Sequence, residues 1–349
     1  MVEKKQTKKK EDKSIDIYAT IAAGLNKRFG GGTVIDLENV SNDFERVPSE
    51  NLTLDWILGG GWPKGKIVEV YALNGVGKTT VVIDTAIKFQ KYDDRPVLII
   101  DAENKINWHY ARDLGLDVSS NRLIFSQENR IEFLSEIIEA YMEAGISAVF
   151  IDSIGVLVPN REYESDLDDK TGGFKEDAGY KAKTLTRFWR KIGPIANKTN
   201  SFIMATNHVK FKTSGYGDPK FTPGGEETRN RAIIRLELTR ISGKDGKIMI
   251  GEEEIGHIIQ VYAEKNQTAP PHRKSNLSLT WGVGFNNDRA LVDMAVFADV
   301  IKGGAAGWIT LPNGEKIQGA DNCTQLLLND KELYEQIYKQ TRKELGFVD

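Results

Sequence analysis

A strand-like run, Ile67–Tyr71, enters Ala72-Leu73-Asn74-Gly75-Val76-Gly77-Lys78-Thr79-Thr80, and a helical stretch, Thr79–Lys91, leaves it. Strand, glycine-containing loop and helix in that order make a P-loop. Glycines let backbone N–H groups turn inward around phosphates, and the helix N-terminus adds positive potential. Lys78 is placed to reach the outer phosphates of a nucleotide, and the Thr79 hydroxyl to ligate magnesium. Asn74, Gly75, Val76, Gly77 and Thr80 complete the expected phosphate cradle. The first glycine of the motif is replaced by Ala72, which a strand-like backbone accommodates, so nucleotide binding is expected to survive.

The rest of the chain repeats this alternation. Apolar, β-rich runs occur at Val97–Ile100, Ala148–Ile151, Phe202–Ala205 and Ile233–Leu238, with helical stretches between. Near-continuous apolar strands alternating with helices imply a mainly parallel sheet covered on both faces, an α/β fold. Lys247–Ile250 and His257–Ala263 suggest antiparallel additions. The expected organisation is a disordered basic tail over 1–14, an N-terminal helix and strand over 15–45, an ATPase core over 46–293 and a small α/β C-terminal lobe over 294–349. The tail holds six lysines in its first 13 residues. Ile15 to Phe29 has apolar residues near helical spacing, and Thr33–Leu37 reads as a short strand. Such a helix and strand cannot bury an apolar face alone, so they must pack on the main body or on another subunit.

Composition narrows the function. No apolar run approaches the roughly 20 residues of a membrane span, and the lysine-rich start lacks the apolar stretch of a secretory signal. The single cysteine, Cys323, excludes an internal disulfide and a cysteine-based zinc site. These features point to a cytoplasmic setting. The net charge of −3 argues against a general nucleic-acid binder, yet Lys175 to Arg231 carries 12 Lys+Arg against 5 Asp+Glu. That local excess of +7 leaves about −10 elsewhere, and it is able to attract phosphate.

Three further strand ends carry polar chemistry. Asp152, after Ala148–Ile151, stands where a magnesium-linked aspartate is expected in a P-loop protein. Asp101 and Glu103 end a second strand, and on chemistry alone either one can orient or deprotonate an attacking water. His208, in Ala205-Thr206-Asn207-His208, is a candidate sensor of the γ-phosphate.

In this order and spacing the motifs resemble the RecA family of homologous-recombination ATPases. The likeness runs from Ser49-Glu50-Asn51-Leu52-Thr53-Leu54-Asp55 and the lead-in Gly65–Tyr71, through Asp101-Ala102-Glu103, Tyr110–Gly115 and Phe150-Ile151-Asp152-Ser153. It continues through Thr222-Pro223-Gly224-Gly225 to Ala290-Leu291-Val292-Asp293 and Gly307–Ile317, about residues 15 to 345. The resemblance implies a RecA-like P-loop core that uses ATP and Mg2+, with Glu103 rather than Asp101 as catalytic base. It implies Tyr110 as the adenine platform with Asn107 beside it, and His208 as the link from γ-phosphate to a DNA loop. DNA loops are implied over about 161–180 and 209–225. Lys183, Arg190, Lys210, Lys212, Tyr216, Gly224 and Gly225 are implied at the DNA. Lys183 and Arg190 are seven residues apart, which places both on one helix face. Tyr216 is either a base-stacking residue or an anchor of its loop.

The implied activity is ATP-dependent pairing and strand exchange between single-stranded and double-stranded DNA by a head-to-tail helical filament of identical subunits. Arg229 and Lys265 are implied at the subunit interface, Lys265 reaching the neighbour's ATP. Gln267 stands where the family has a second such lysine, Asn230 where it has an aromatic residue, and Ala178 where it has a bulky apolar one. His208 in place of glutamine, and the absence of a long acidic tail, suit a phage-type or otherwise divergent member. A DNA-coating regulatory filament with weak ATPase and a hexameric helicase of the same fold are the alternatives.

Overall fold

The computed structural model describes residues 17–29, 34, 45–164, 174–211, 220–304 and 307–347. The expected basic tail, most of the expected strand Thr33–Leu37, and Lys212 and Tyr216 lie outside the described residues. Residues Met1–Glu45 and Arg46–Asp349 form two units. In the first, helix α1 (17–29) is followed by Val34, whose backbone N–H and C=O both bond the Asn26 amide at 2.8 Å. Ile17, Tyr18, Ile21 and Phe29 of α1 are exposed.

The second unit opens with β1 (Arg46–Val47), α2 (Leu52–Leu58) and β2 (Trp62–Pro63). Then come β3 (Ile67–Ala72), α3 (Lys78–Tyr92), β4 (Val97–Asp101), α4 (Trp108–Asp113), β5 (Leu123–Ser126), α5 (Ile131–Glu143) and β6 (Ala148–Asp152). They are followed by α6 (Asn160–Tyr163), α7 (Phe174–Thr199), β7 (Phe202–His208), β8 (Lys210–Phe211), β9 (Lys220–Phe221), α8 (Glu226–Arg231) and β10 (Ile234–Arg240). The antiparallel part is β11 (Lys247–Ile250), β12 (Glu253–Asn266), β13 (Lys274–Thr280) and β14 (Gly284–Phe285). The chain closes with α9 (Asn287–Phe297), β15 (Lys302–Gly303), β16 (Trp308–Thr310), β17 (Lys316–Gln318), α10 (Ala320–Asn329) and α11 (Lys331–Glu344).

The main sheet runs β14-β13-β12-β10-β3-β7-β6-β4-β5, with β11 paired to β12. From β10 to β5 all neighbours are parallel, and β12, β13, β14 and β11 add on antiparallel. Strand side chains alternate faces, and the two faces feed two cores. Val97, Ile99, Ala148, Phe150, Phe202 and Met204 pack with α3 on one side. Leu98, Ile100, Val149, Ile151, Ile203 and Ala205 pack with α5 and α7 on the other. Residues buried on both faces explain why these strands read as unbroken apolar runs.

Helix starts follow capping chemistry. Asn51, Asn107, Asn286 and Asp330 each accept backbone N–H bonds at the first turn of α2, α4, α9 and α11. The C-terminal elements have a core of their own, in which Leu291, Ile301, Ile309, Leu327 and Ile337 also meet Leu52 of α2. One expectation changes. The first DNA loop was expected over 161–180, but α6 starts at Asn160 and α7 already begins at Phe174. The stretch Lys175–Lys183 is mostly good helix formers, and propensity carries the helix across Gly179.

Phe202 is fully buried, stacked on Phe89 at 4.8 Å and tilted against Trp62 at 5.9 Å. Phe202→Ala is expected to lower unfolding stability by about 3–5 kcal/mol, read as a shift in the denaturant midpoint with an unchanged slope.

Candidate active site

The parallel strands of the main sheet deliver their carboxyl ends to one edge. In register, Ala72 of β3 lies opposite His208 of β7, and Asp101 of β4 opposite Asp152 of β6. Ala72 is the last residue of its strand, so the missing glycine of the motif leaves no strain. After it the loop turns through Gly75 (φ 73°) and Gly77 (φ 121°) into the start of α3. A Cβ on Gly77 would also come within 3.0 Å of Ile259 and 3.1 Å of Leu279, so position 77 is closed to other residues twice over.

A cavity of about 420 Å³ opens at this edge. Among the residues lining it are Lys78, Thr79, Glu103, Lys105, Asp152 and His208. Lys78 Nζ donates to the loop carbonyls of Leu73 (3.1 Å) and Ala72 (3.3 Å). Burial holds its pKa below the ordinary lysine value, against the pull of Asp152 and Glu103. Thr79 Oγ1 donates to Asp152 Oδ2 at 2.7 Å, and Thr206 Oγ1 to Asp152 Oδ1 at 2.5 Å. Burial raises the Asp152 pKa, and those two hydroxyls oppose it. A hydroxyl and a carboxylate side by side are hard oxygen donors of the kind magnesium takes, so Thr79 and Asp152 fit that ion.

Glu103 is held from both oxygens. Ser153 Oγ donates to Oε1 at 2.6 Å, His208 Nε2 lies 2.5 Å from the same oxygen, and Lys105 Nζ donates to Oε2 at 2.7 Å. Burial alone would raise its pKa. The Lys105, Ser153 and His208 contacts outweigh that and bring it down to about 2. Asp101 has a different task. It is buried, and its carboxylate accepts the N–H groups of Lys105 (3.1 Å) and Ile106 (2.9 Å), which shapes the turn.

Other candidates stand apart from this cluster. Tyr110 touches the loop through its hydroxyl, 3.4 Å from Thr80 Oγ1, and Asn107 caps α4 beneath it. Lys183 and Arg190 are exposed on α7, with Arg190 3.7 Å from Glu227. Lys210 is exposed on β8. Gly224 and Gly225 take φ values of 105° and 79° before α8, and a Cβ on Gly225 would meet Ala182 of α7 at 3.4 Å. Lys265 Nζ donates to the last carbonyls of α8, those of Arg229 (3.2 Å) and Asn230 (3.0 Å).

Six contributors were not legible in sequence. Thr206, Ser153 and Lys105 reach the acids only through the fold. Trp281, half exposed, and buried His257 line the same cavity, and His257 Nε2 lies 3.1 Å from the Val76 carbonyl. Asn207, next to His208, makes contacts toward the second loop. Its Nδ2 donates to Pro223 O (2.8 Å), beside the glycine pair, and to Glu69 Oε1 (2.9 Å), while its Oδ1 accepts the His208 N–H (2.9 Å). Glu69 in turn pairs with Arg235 at 2.6 Å, and Arg235 with Glu264. Asn in a row of strand residues gives no signal of this, because Glu69 and Pro223 come from two separate segments.

The model of the RecA N-terminal domain matches residues 16–286. A Protein RecA from Lactobacillus johnsonii is 32% identical over 326 residues, covering 92% of this chain and 87% of its own length. A Protein RecA from Staphylococcus aureus strain JH9 is 31% identical over 336 residues, 95% of this chain and 92% of its own.

Thr206→Val is expected to weaken magnesium-dependent nucleotide binding about tenfold, the worth of one hydrogen bond to a charged group. Titration of a fluorescent ATP analogue with and without magnesium checks it.

Proposed function

The chain belongs to the RecA family, and from that premise we propose how its own residues carry the activity. It is a DNA-dependent ATPase of recombination and repair. The observation that supports the residue assignments is the convergence of Lys78, Thr79, Asp152, Glu103 and His208 on one cavity.

In this reading ATP enters with its phosphates in the loop of Asn74, Gly75, Val76, Gly77, Lys78, Thr79 and Thr80. Thr79 and Asp152 hold Mg2+, which when bound neutralises charge on the outer phosphates. Glu103 takes the proton of the attacking water. His208 stands between Glu103 and the γ-phosphate, and Asn207 carries the state of that site to Pro223 at the end of the second loop. Tyr110 supplies the adenine platform.

DNA runs along the exposed basic face of α7 and the second loop, through Lys183, Arg190 and Lys210, with Lys212, Tyr216 and the Gly224–Gly225 pair. Backbone contact by lysine and arginine is indifferent to sequence and sensitive to salt. Subunits assemble head to tail as a helical filament on single-stranded DNA and promote exchange with double-stranded DNA. Arg229 and Lys265 lie at the subunit interface, with Lys265 reaching the neighbour's ATP. Helix α1, with Ile17, Tyr18 and Ile21 exposed, docks on the adjacent subunit. A cytoplasmic location belongs to the same reading and rests on the single cysteine.

Two expected outcomes test this. Lys78→Ala abolishes ATP hydrolysis, and Glu103→Gln lowers the DNA-stimulated turnover by roughly 10²–10⁴-fold, the range of a lost general base. Full turnover in Glu103→Gln contradicts the assignment. Separately, Lys183→Ala and Arg190→Ala each flatten the slope of log affinity against log salt for single-stranded DNA by about 0.7. An unchanged slope removes those residues from the DNA path.

A further inference from the structure

Lys105 is part of neither the phosphate loop nor a strand end, yet it stands in the cavity wall beside Lys78. Its backbone is fixed by the turn that Asp101 organises, where its N–H donates to Asp101 Oδ1. Its side chain is 70% exposed and ends on Glu103 Oε2 at 2.7 Å. Burial is the main reason that the Lys78 pKa is depressed, and the Lys105 charge adds to it, so the two ammonium groups share one field. Both line the cavity on which the loop opens.

The three partners of Glu103 differ in how readily they can leave. Ser153 is fully buried, and the His208 side chain is 20% exposed. Lys105 alone among them is mostly in solvent. An exposed ion pair is weakly held, while the outer phosphates of a nucleotide offer an ammonium group more charge than one carboxylate does. With Ser153 and His208 on Oε1, the oxygen that Lys105 covers is the one left to face a water.

We propose that Lys105 is a latch on Glu103 that a nucleoside triphosphate releases. With no γ-phosphate present, Lys105 pins Oε2. When a triphosphate is bound, Lys105 moves to the γ-phosphate oxygens and uncovers the carboxylate. The water then gives its proton to Glu103 Oε2 as its oxygen bonds to the γ-phosphorus. The bond to the β–γ bridging oxygen breaks, and the diphosphate leaves with that electron pair. Once inorganic phosphate has left, Lys105 returns to Glu103. The inference rests on the reading of Glu103 as the base, and it makes Lys105 a residue that distinguishes triphosphate from diphosphate.

The test uses the full chain with Lys105→Gln, Lys105→Arg, Glu103→Gln and the double variant Glu103→Gln/Lys105→Gln. Binding of ADP and of a non-hydrolysable ATP analogue is measured by calorimetry, and turnover is measured alongside. Lys105→Gln is expected to weaken the ATP analogue about tenfold, the loss of one charge-assisted hydrogen bond, with ADP affinity unchanged within twofold. Lys105→Arg restores the preference. Glu103→Gln, which has no carboxylate to compete for Lys105, tightens the ATP analogue several-fold, and that gain disappears in the double variant. Equal changes for ADP and the ATP analogue, no change for either, or a gain in Glu103→Gln that survives loss of Lys105 would each overturn the latch. Full turnover in Glu103→Gln would instead overturn the base assignment itself.

Discussion

The register of four parallel strands is the constraint on which the site depends. β3, β7, β6 and β4 run side by side in one direction, so their carboxyl ends emerge together, with Ala72 opposite His208 and Asp101 opposite Asp152. A side chain at a strand end keeps the face assigned by the two-residue alternation. A slip of one position would therefore turn Phe150 and Met204 out of one core and aim Asp152 and Thr206 away from each other. The two apolar cores forbid that slip. Hydrophobic packing on both faces thus sets the 2.5–2.7 Å contacts of the acids, although no apolar residue takes part in them.

The sheet, the P-loop and the strand-end acids were legible because each is encoded locally. Buried parallel strands leave continuous apolar runs, and the loop carries its own glycines, lysine and threonine. The choice between Asp101 and Glu103 was open on residue chemistry. In space the two differ: the Asp101 carboxylate accepts the N–H groups of its own turn, and Glu103 lines the cavity. Ser153, Thr206, Lys105, Trp281 and His257 were not legible, since each acts by meeting a segment distant in sequence. Asn107 carried a signal that was overlooked, because asparagine before a helical run is a capping residue. The overextended first loop had a similar cause. The resemblance implied a loop as far as 180, while the mostly helix-forming residues Lys175–Lys183 carry α7 back to Phe174.

Electrostatically the site is built from opposed pulls. Burial works against the charges of Asp152 and Lys78, and neighbouring hydroxyls and counter-charges restore part of what burial removes. Groups held this way are oriented before any substrate arrives, which is how a site stabilises charge without reorganising. The same strand edge continues through Asn207 to Pro223 and through Glu69 to Arg235 and Glu264, so the cavity and the second loop hang on one run of hydrogen bonds.

The Glu69–Arg235 pair has a consequence on an evolutionary time scale. Its side chains are 0% and 4% exposed, and they lie 166 positions apart in sequence. Removing one partner strands the other charge in the interior at a cost of about 3–5 kcal/mol, and exchanging both for apolar residues also takes a partner from Asn207 and from Glu264. Single substitutions at either position thus lead downhill, and the two-residue exit cannot be reached one step at a time. The corner joining the central strands to the second loop is consequently frozen by mutational accessibility.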